Sequence, residues 1–299
     1  MKHISPDALV RAPLRRQGGF TLVEVVIVII LTSIIAVGVA VFIRIPVRSY
    51  VDSAARADLV DTGDTALRRM ARDLRLALPN SVRVNTDGSG ASYIELLLTR
   101  TGGRYLALED APSGGHYLDF INGNLQFDIV GPIPTLEQTI QAGTDSVVVY
   151  NLRPGTPGTD AYQTSGQMNR ALIASISGPT ITMASPSPFS PASQQSPSHR
   201  FQVISGPVTY RCDPSTGKLT RYWNYTIAAT QPTSVAALST GANAQNALMA
   251  AGVNSCSFSY SIPTSMSSAI AVLEIHLAST DSGSSQVGLF QQVHVDNTP

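Results

Sequence analysis

Between Phe20 and Ile43 the chain carries one charge, Glu24, and the next follows only at Arg44. Such a run of roughly two dozen residues would make a helix of about 36 Å, at ~1.5 Å per residue. The hydrocarbon core of a bilayer is about 30 Å thick, so the run is long enough to span it. A secretory signal puts its small-residue cleavage site after its apolar region. Here the small pair, Gly18-Gly19, comes before it, and Ile43-Arg44-Ile45-Pro46 offers no such site. A cut at Gly19 would remove residues 1–19, a polar leader, and keep the whole apolar segment. Glu24 would then lie five residues into the product. A carboxylate in a membrane span is costly and marks a functional position by default. Its expected partner is the α-amine of Phe20 on a neighbouring subunit.

Charge gives an orientation. Lys2, Arg11, Arg15 and Arg16 precede the span and Arg44 and Arg48 follow it. The excess of base on the N-terminal side predicts a cytoplasmic N-terminus, with the bulk of the chain exported. Loss of the leader would leave the chain slightly acidic, since the whole has 20 bases and 20 acids and the leader holds four bases and one acid. No nucleic-acid partner is expected from that balance. Charged residues are only 13% of the 299, which suits an exported β-rich domain. About 220 residues after the helix suffice for a core of one domain, or two lobes. In an oxidising compartment the two cysteines, Cys212 and Cys256, are expected to form one disulfide; two buried thiols are the alternative. Closing a loop of roughly 45 residues would add about 4 kcal/mol in the chain-entropy model.

Along the chain, residues 20–43 read as the apolar helix. Pro46 should kink or locally open it. An amphipathic continuation over 44–78 follows from Val47, Tyr50, Val51, Ala54, Leu67, Met70, Ala71, Leu74 and Leu78 at three- and four-residue steps. Asp52–Arg56, Asp64–Arg68 and Arg69–Asp73 are spaced for surface pairs. Arg68, Arg69, Arg72 and Arg75 read as a solvated face or as a contact strip for neighbouring subunits. Gly63 is a weak point, and Pro79-Asn80 ends the helix. Beyond Ser81 the period becomes strand-like, with runs at 93–100, 104–108, 117–121, 125–130, 145–152, 170–176 and 180–184. Gly102-Gly103 and Asn122-Gly123 read as turns between them. Residues 184–198, rich in Ser, Pro and Gln, read as a flexible loop. A hairpin of 201–212 with 219–227, a short Ala-rich helix at 243–251, and strands at 256–262, 269–278 and 287–295 complete the chain.

Gly19-Phe20-Thr21-Leu22-Val23-Glu24 followed by an apolar run resembles the class III signal of type IV pilins and type II secretion pseudopilins. The resemblance implies cleavage after Gly19 by a prepilin peptidase, N-methylation of Phe20, and an assembly role for Glu24. Its implied fold is α+β and pilin-like. A long N-terminal helix, half membrane-spanning and half amphipathic, leads into a mostly antiparallel β-rich domain over 79–299. Implied partners are the prepilin peptidase, other minor and major pilins packed through 20–43, inner-membrane lipid before assembly, and the inner-membrane assembly platform. The implied location is the inner membrane, single-pass, with the β-rich domain periplasmic, and then the pilus. Val208-Thr209-Tyr210-Arg211-Cys212-Asp213, Leu219-Thr220-Arg221-Tyr222, the second cysteine and Gln291-Gln292-Val293-His294-Val295 narrow the resemblance to larger minor pilins and the J-type pseudopilin. It is weakest over 111–200.

No catalytic site, cofactor or metal is expected. His3, His116, His199, His276 and His294 are scattered without a second ligand at metal spacing. Thr216-Gly217-Lys218 lacks the upstream glycine of a phosphate loop. The acidic turns at 87–90 and 281–284 offer too few carboxylates for Ca²⁺. A pilus-tip adhesin or ligand binder using loops 153–200, and an exported enzyme, are the readings from other classes.

Overall fold

The computed structural model describes residues 18–298 except 112–113, 134, 136–138, 185–188, 190–194, 263–267 and 280–284. The expected loop at 184–198 and the acidic turn at 281–284 therefore lie largely outside the described residues, as does the leader up to residue 17. The chain divides between Ser53 and Ala54 into two compact units. One helix, α1 (Leu22–Arg75), supplies residues to both, so the amphipathic segment expected over 44–78 is shared between them.

In the first unit α1 is α-helical through Pro46 without a break. The opening expected there does not occur. Proline removes only its own N–H from the ladder, and the bonds on either side suffice to keep the chain helical. Every described residue from Gly18 to Tyr50 is exposed.

In the second unit the helix buries Gly63, Ala66, Leu67, Met70, Ala71, Asp73 and Leu74. Gly63 is a close-approach position. A Cβ there would overlap the side chains of Leu277 and Leu289, so the missing methyl lets the helix lie directly on the strands bearing them. The helix ends at Arg75 rather than at residue 78. Ala77 bridges Leu98, and Leu78 N–H donates to Leu97 O at 2.8 Å. These backbone bonds to a strand replace the last helical turn.

Among the described residues twelve strands follow: β1 (Arg83–Thr86), β2 (Ser92–Tyr105), β3 (Gln126–Val130), β4 (Ser146–Val148), β5 (Arg170–Ser177), β6 (Thr180–Met183), β7 (Arg200–Asp213), β8 (Lys218–Trp223), β9 (Gln245–Ala251), β10 (Val253–Ser261), β11 (Ser268–Ala278) and β12 (Gln286–Asp296). The last three form an antiparallel sheet. The others pair in the order β1-β2-β3-β6-β5-β4-β7-β8-β9, with β2 also paired to β7. That extra pairing closes β2, β3, β6, β5, β4 and β7 into a ring, which encloses a core of Phe127, Ile129, Val147, Ile173, Ile181 and Val203. Phe127 and Phe201 meet edge to face there, centroids 5.3 Å apart. The long strands β2 and β7 thus serve two lobes. Their distal ends, 101–104 and 200–203, belong to the ring. Their proximal ends, 92–98 and 206–212, belong to a sheet that carries the helix. Between the two, Ser205 is an extra residue opposite the Leu98–Thr99 step, a bulge that bends β7.

The helix packs in a single core with both sheets. Leu67, Met70 and Leu74 share it with Ile94 and Leu96 of β2, Val208 and Tyr210 of β7, and Leu273, Ile275, Leu277 and Val293 of β11 and β12. The Cys212–Cys256 disulfide joins β7 to β10, and so links the two sheets covalently.

Five local expectations are corrected. Gly102-Gly103 is not a turn but lies within β2, where a Cβ at Gly103 would press on the Phe201 ring at 3.0 Å. Residues 117–121 are not a strand. The Asp119 carboxylate accepts from the N–H groups of Ile121 and Asn122, and Asn124 donates to Tyr117 O, so Asx chemistry fixes a local turn instead. Residues 243–251 are not a helix. Gln245–Ala251 forms β9, paired with β8 from Trp223↔Gln245 to Lys218↔Ala251, because backbone pairing outweighs the few tenths of a kcal/mol of alanine's helix preference. The strands expected at 145–152 and 219–227 stop at Val148 and Trp223; soon after, Tyr150 and Asn224 adopt positive φ, 51° and 58°.

Candidate functional site

The segment Gly18–Glu24 shows how the chain enters its apolar helix. Gly18, Gly19 and Phe20 are exposed and outside the helix, so the Gly19–Phe20 peptide bond lies in open, accessible chain. Thr21 is the N-cap. Its Oγ1 accepts from the Glu24 N–H at 3.2 Å, and its carbonyl accepts the first helical bond from Val25 at 3.2 Å. Thr21-Leu22-Val23-Glu24 thus has the spacing of a capping box. Thr21 is absent from the sequence-based site residues, although the Thr-x-x-Glu pattern ahead of an apolar run is the signal that could have found it. Glu24 sits in the first turn of α1 and is exposed. Its negative charge there is favoured by the positive end of the helix dipole.

From Leu22 to Ile43 the helix presents bare aliphatic side chains on all sides. Its two hydroxyls are satisfied within the helix, Thr32 Oγ1 donating to Val28 O and Ser33 Oγ to Ile29 O, both at 2.7 Å. Both are thus bonded internally, as a nonpolar surrounding demands. Among the described residues α1 is the one helix long and apolar enough to cross a membrane.

The clusters of titratable groups lie in the second unit. Asp73, 3% exposed, receives Arg221 Nε and Tyr210 OH on one carboxylate oxygen, each at 2.8 Å, and Arg69 on the other at 3.5 Å. The anticipated Arg69–Asp73 pair is present, but the shorter contacts come from strands 137 and 148 residues away. Arg221 also lies over the Trp223 ring at 4.8 Å. On the helix surface Asp64 and Arg68 pair at 2.7 Å, as their spacing predicts. Across the sheet, fully buried Glu95 binds Arg83 and accepts from Tyr225 OH at 2.7 Å. Burial pushes the Glu95 carboxyl up, and the Arg83 charge opposes it. The Arg83 guanidinium also donates to the carbonyls of Ala228 and Ala229 and stacks 3.6 Å from the Tyr162 centroid. These groups satisfy one another.

A groove of ≈ 860 Å³ lies where the bulged part of β7, Ser205-Gly206-Pro207, is left between β4 and β8. Arg100, paired to Asp145 at 2.6 Å, forms part of its wall. The histidines stay apart: His116 faces Asp128, His199 faces Glu109, His276 faces Glu274, and His294 is exposed on β12. Among the described residues no three His, Cys, Asp or Glu side chains converge as a metal site.

The protein-family model described as the prokaryotic N-terminal methylation motif matches residues 14–40. The match takes in Gly19, Phe20, Thr21 and Glu24 with most of the apolar run, and supports a type IV pilin-like family. No curated protein and no solved structure matches the chain.

Proposed function

We propose that this chain is a minor pilin of an MSHA-type (mannose-sensitive haemagglutinin) type IV pilus, similar to the minor pilin MshO. The observation that carries the reading is the methylation motif, placed at the start of a capped helix whose aliphatic surface is bare on every side. Ile43-Arg44-Ile45-Pro46-Val47 and Ala66–Arg75 add to the resemblance. In this reading the prepilin peptidase cuts after Gly19 and Phe20 is N-methylated. The helix anchors the chain in the inner membrane, single-pass, until the assembly platform moves it among other pilins. Packing against their helices replaces its lipid contacts. Cleavage leaves an α-amine two residues before the helix starts, where the dipole disfavours positive charge. A neighbour's Glu24 offsets that cost, and the amine in turn offsets the desolvation of the carboxylate. The size of the β-rich domain suits an initiating or tip complex better than every turn of a shaft. The role is that of a structural subunit, without catalysis.

The test is the N-terminus of the assembled protein. Mass spectrometry of pilus fractions is expected to find a chain beginning with methylated Phe20. A mature chain starting at Met1, or one cut beyond Ile43, would overturn the reading. Blocking cleavage by substitution at Gly19 is expected to trap a full-length precursor in the membrane, absent from assembled pili. Glu24→Ala should leave processing largely intact and lower co-purification with partner pilins; wild-type recovery of those partners would remove the pairing. A J-type pseudopilin of a type II secretion system is the second reading, favoured by the same motif; recovery with pseudopilins rather than pilins would establish it.

A further inference from the structure

The exposed face of α1 in the second unit has a regular spacing. Ala54, Asp58, Asp61, Thr65, Arg68, Arg72 and Arg75 follow one another in steps of four and three, and all are exposed. Steps that average 3.5 residues form a straight seam along a helix, the kind along which a second helix packs. The buried positions, Gly63, Ala66, Leu67, Met70, Ala71 and Leu74, occupy the other side. The seam is polar and divided by sign. Its N-terminal part holds Asp58 and Asp61, and its C-terminal part holds Arg68, Arg72 and Arg75.

A solvated helix face mixes signs so that i,i+4 neighbours attract, as Asp64 and Arg68 do. The rest of this seam does the opposite. Four residues after Asp58 and Asp61 stand Thr62 and Thr65, and Arg72 has Arg68 four residues before it. Asp58–Asp61, Arg68–Arg72 and Arg72–Arg75 are like-charged neighbours that repel. Among the described residues neither Arg72 nor Arg75 forms an ion pair; the bases of this helix that do are Arg68 and Arg69. The helix dipole accounts for cations in the last turn, where Arg72 and Arg75 lie. It does not account for Asp58 and Asp61, which lie mid-helix, where the dipole's influence has faded. A partner of opposite charge would relieve the repulsion.

We propose that Arg72 and Arg75 dock the carboxylates of a neighbouring subunit's helix, running parallel to α1 and carrying acids at three-residue spacing. The inference rests on the pilin reading above, which supplies parallel neighbouring helices. This chain's own acids show the geometry such a partner needs. Setting Asp58 and Asp61 of one helix beside Arg72 and Arg75 of another takes an axial shift of 14 residues, about 21 Å at ~1.5 Å per residue. The contact sets the height at which one subunit sits on the next and adds attraction outside the apolar segment.

The test compares wild type, R72E/R75E and R72K/R75K, expressed in the native host. The readout is the ratio of protein in sheared pili to protein in the inner membrane. R72E/R75E sets like charges against the partner's acids and is expected to lower that ratio about tenfold or more, while R72K/R75K stays near wild type. Thermal unfolding of the detergent-solubilised chains should match wild type for R72K/R75K and fall only slightly for R72E/R75E, whose exposed acids oppose the helix dipole. A wild-type ratio for R72E/R75E overturns the inference and leaves the pilin reading standing. An equal loss in R72K/R75K also overturns it, since the charge would then not be the cause. Absence of wild type itself from pili overturns the pilin reading.

Discussion

Asp73→Ala is expected to destabilise the β-rich domain by about 3–5 kcal/mol, the range for breaking a buried ion pair from one side. The carboxylate is 3% exposed, and its partner Arg221 is 6% exposed. Without Asp73 a buried guanidinium loses its short countercharge, and the buried Tyr210 hydroxyl loses its acceptor. Asp64→Ala is the matched control, on the same helix and also paired to an arginine. Asp64 and Arg68 are 42% and 77% exposed, and losing a surface pair costs about 0–1 kcal/mol. Denaturant unfolding of the detergent-solubilised protein measures both. Equal midpoints for the two variants would show that Asp73 does not hold the helix to β7 and β8. Asp73→Asn, which keeps an acceptor for Tyr210 but removes the charge, should fall between them.

The second large effect is expected from the disulfide. Cys212 and Cys256 are 44 residues apart in sequence. Removing a cross-link of that span releases about 4 kcal/mol of loop entropy to the unfolded chain in the entropic model. C212A/C256A is therefore expected to unfold at clearly lower denaturant, and reduced wild type should behave like the variant. The loss has a particular location. The bond joins β7 to β10, and the two sheets they belong to share one core with the helix residues Leu67, Met70 and Leu74. Opening should therefore expose that core before the ring enclosed by β2 to β7. Hydrogen exchange of the reduced protein checks this: early loss of protection should appear in β10–β12, and uniform loss across both lobes would contradict it.

Much of the architecture is legible in the sequence because its signals are local. The apolar run and the stripe from Leu67 to Leu74 are patterns within one helix. The β7–β8 hairpin can be read from strand-prone residues on either side of Asp213-Pro214-Ser215-Thr216-Gly217, where the Asp213 side chain accepts from Ser215 and Thr216. The errors fall where distant partners decide. Residues 245–251 have alanine's helix preference, yet β8 offers them a ladder of backbone bonds. Gly102-Gly103 looks like a turn, yet Phe201 lies where side chains would be. For the candidate site, Gly19, Phe20 and Glu24 stand out in sequence because a small-residue pair ahead of an apolar run and a single charge inside it are both local features. Thr21 emerges only with the structure, although its pattern is local too.

The amino-acid order alone determined the apolar segment, the charge asymmetry around it, the signal at Gly19–Glu24 and the change from helical to strand period near Ser81. Each depends on residues within a few turns of one another. Only the tertiary structure decided that Asp73 meets Arg221 and Tyr210, that β2 and β7 are shared by a ring and a helix-bearing sheet, and that one face of α1 is left with its acids and bases segregated. Those outcomes depend on which elements come to share a core, and burial energy is set by contacts between segments far apart in the chain, which no short window of sequence contains.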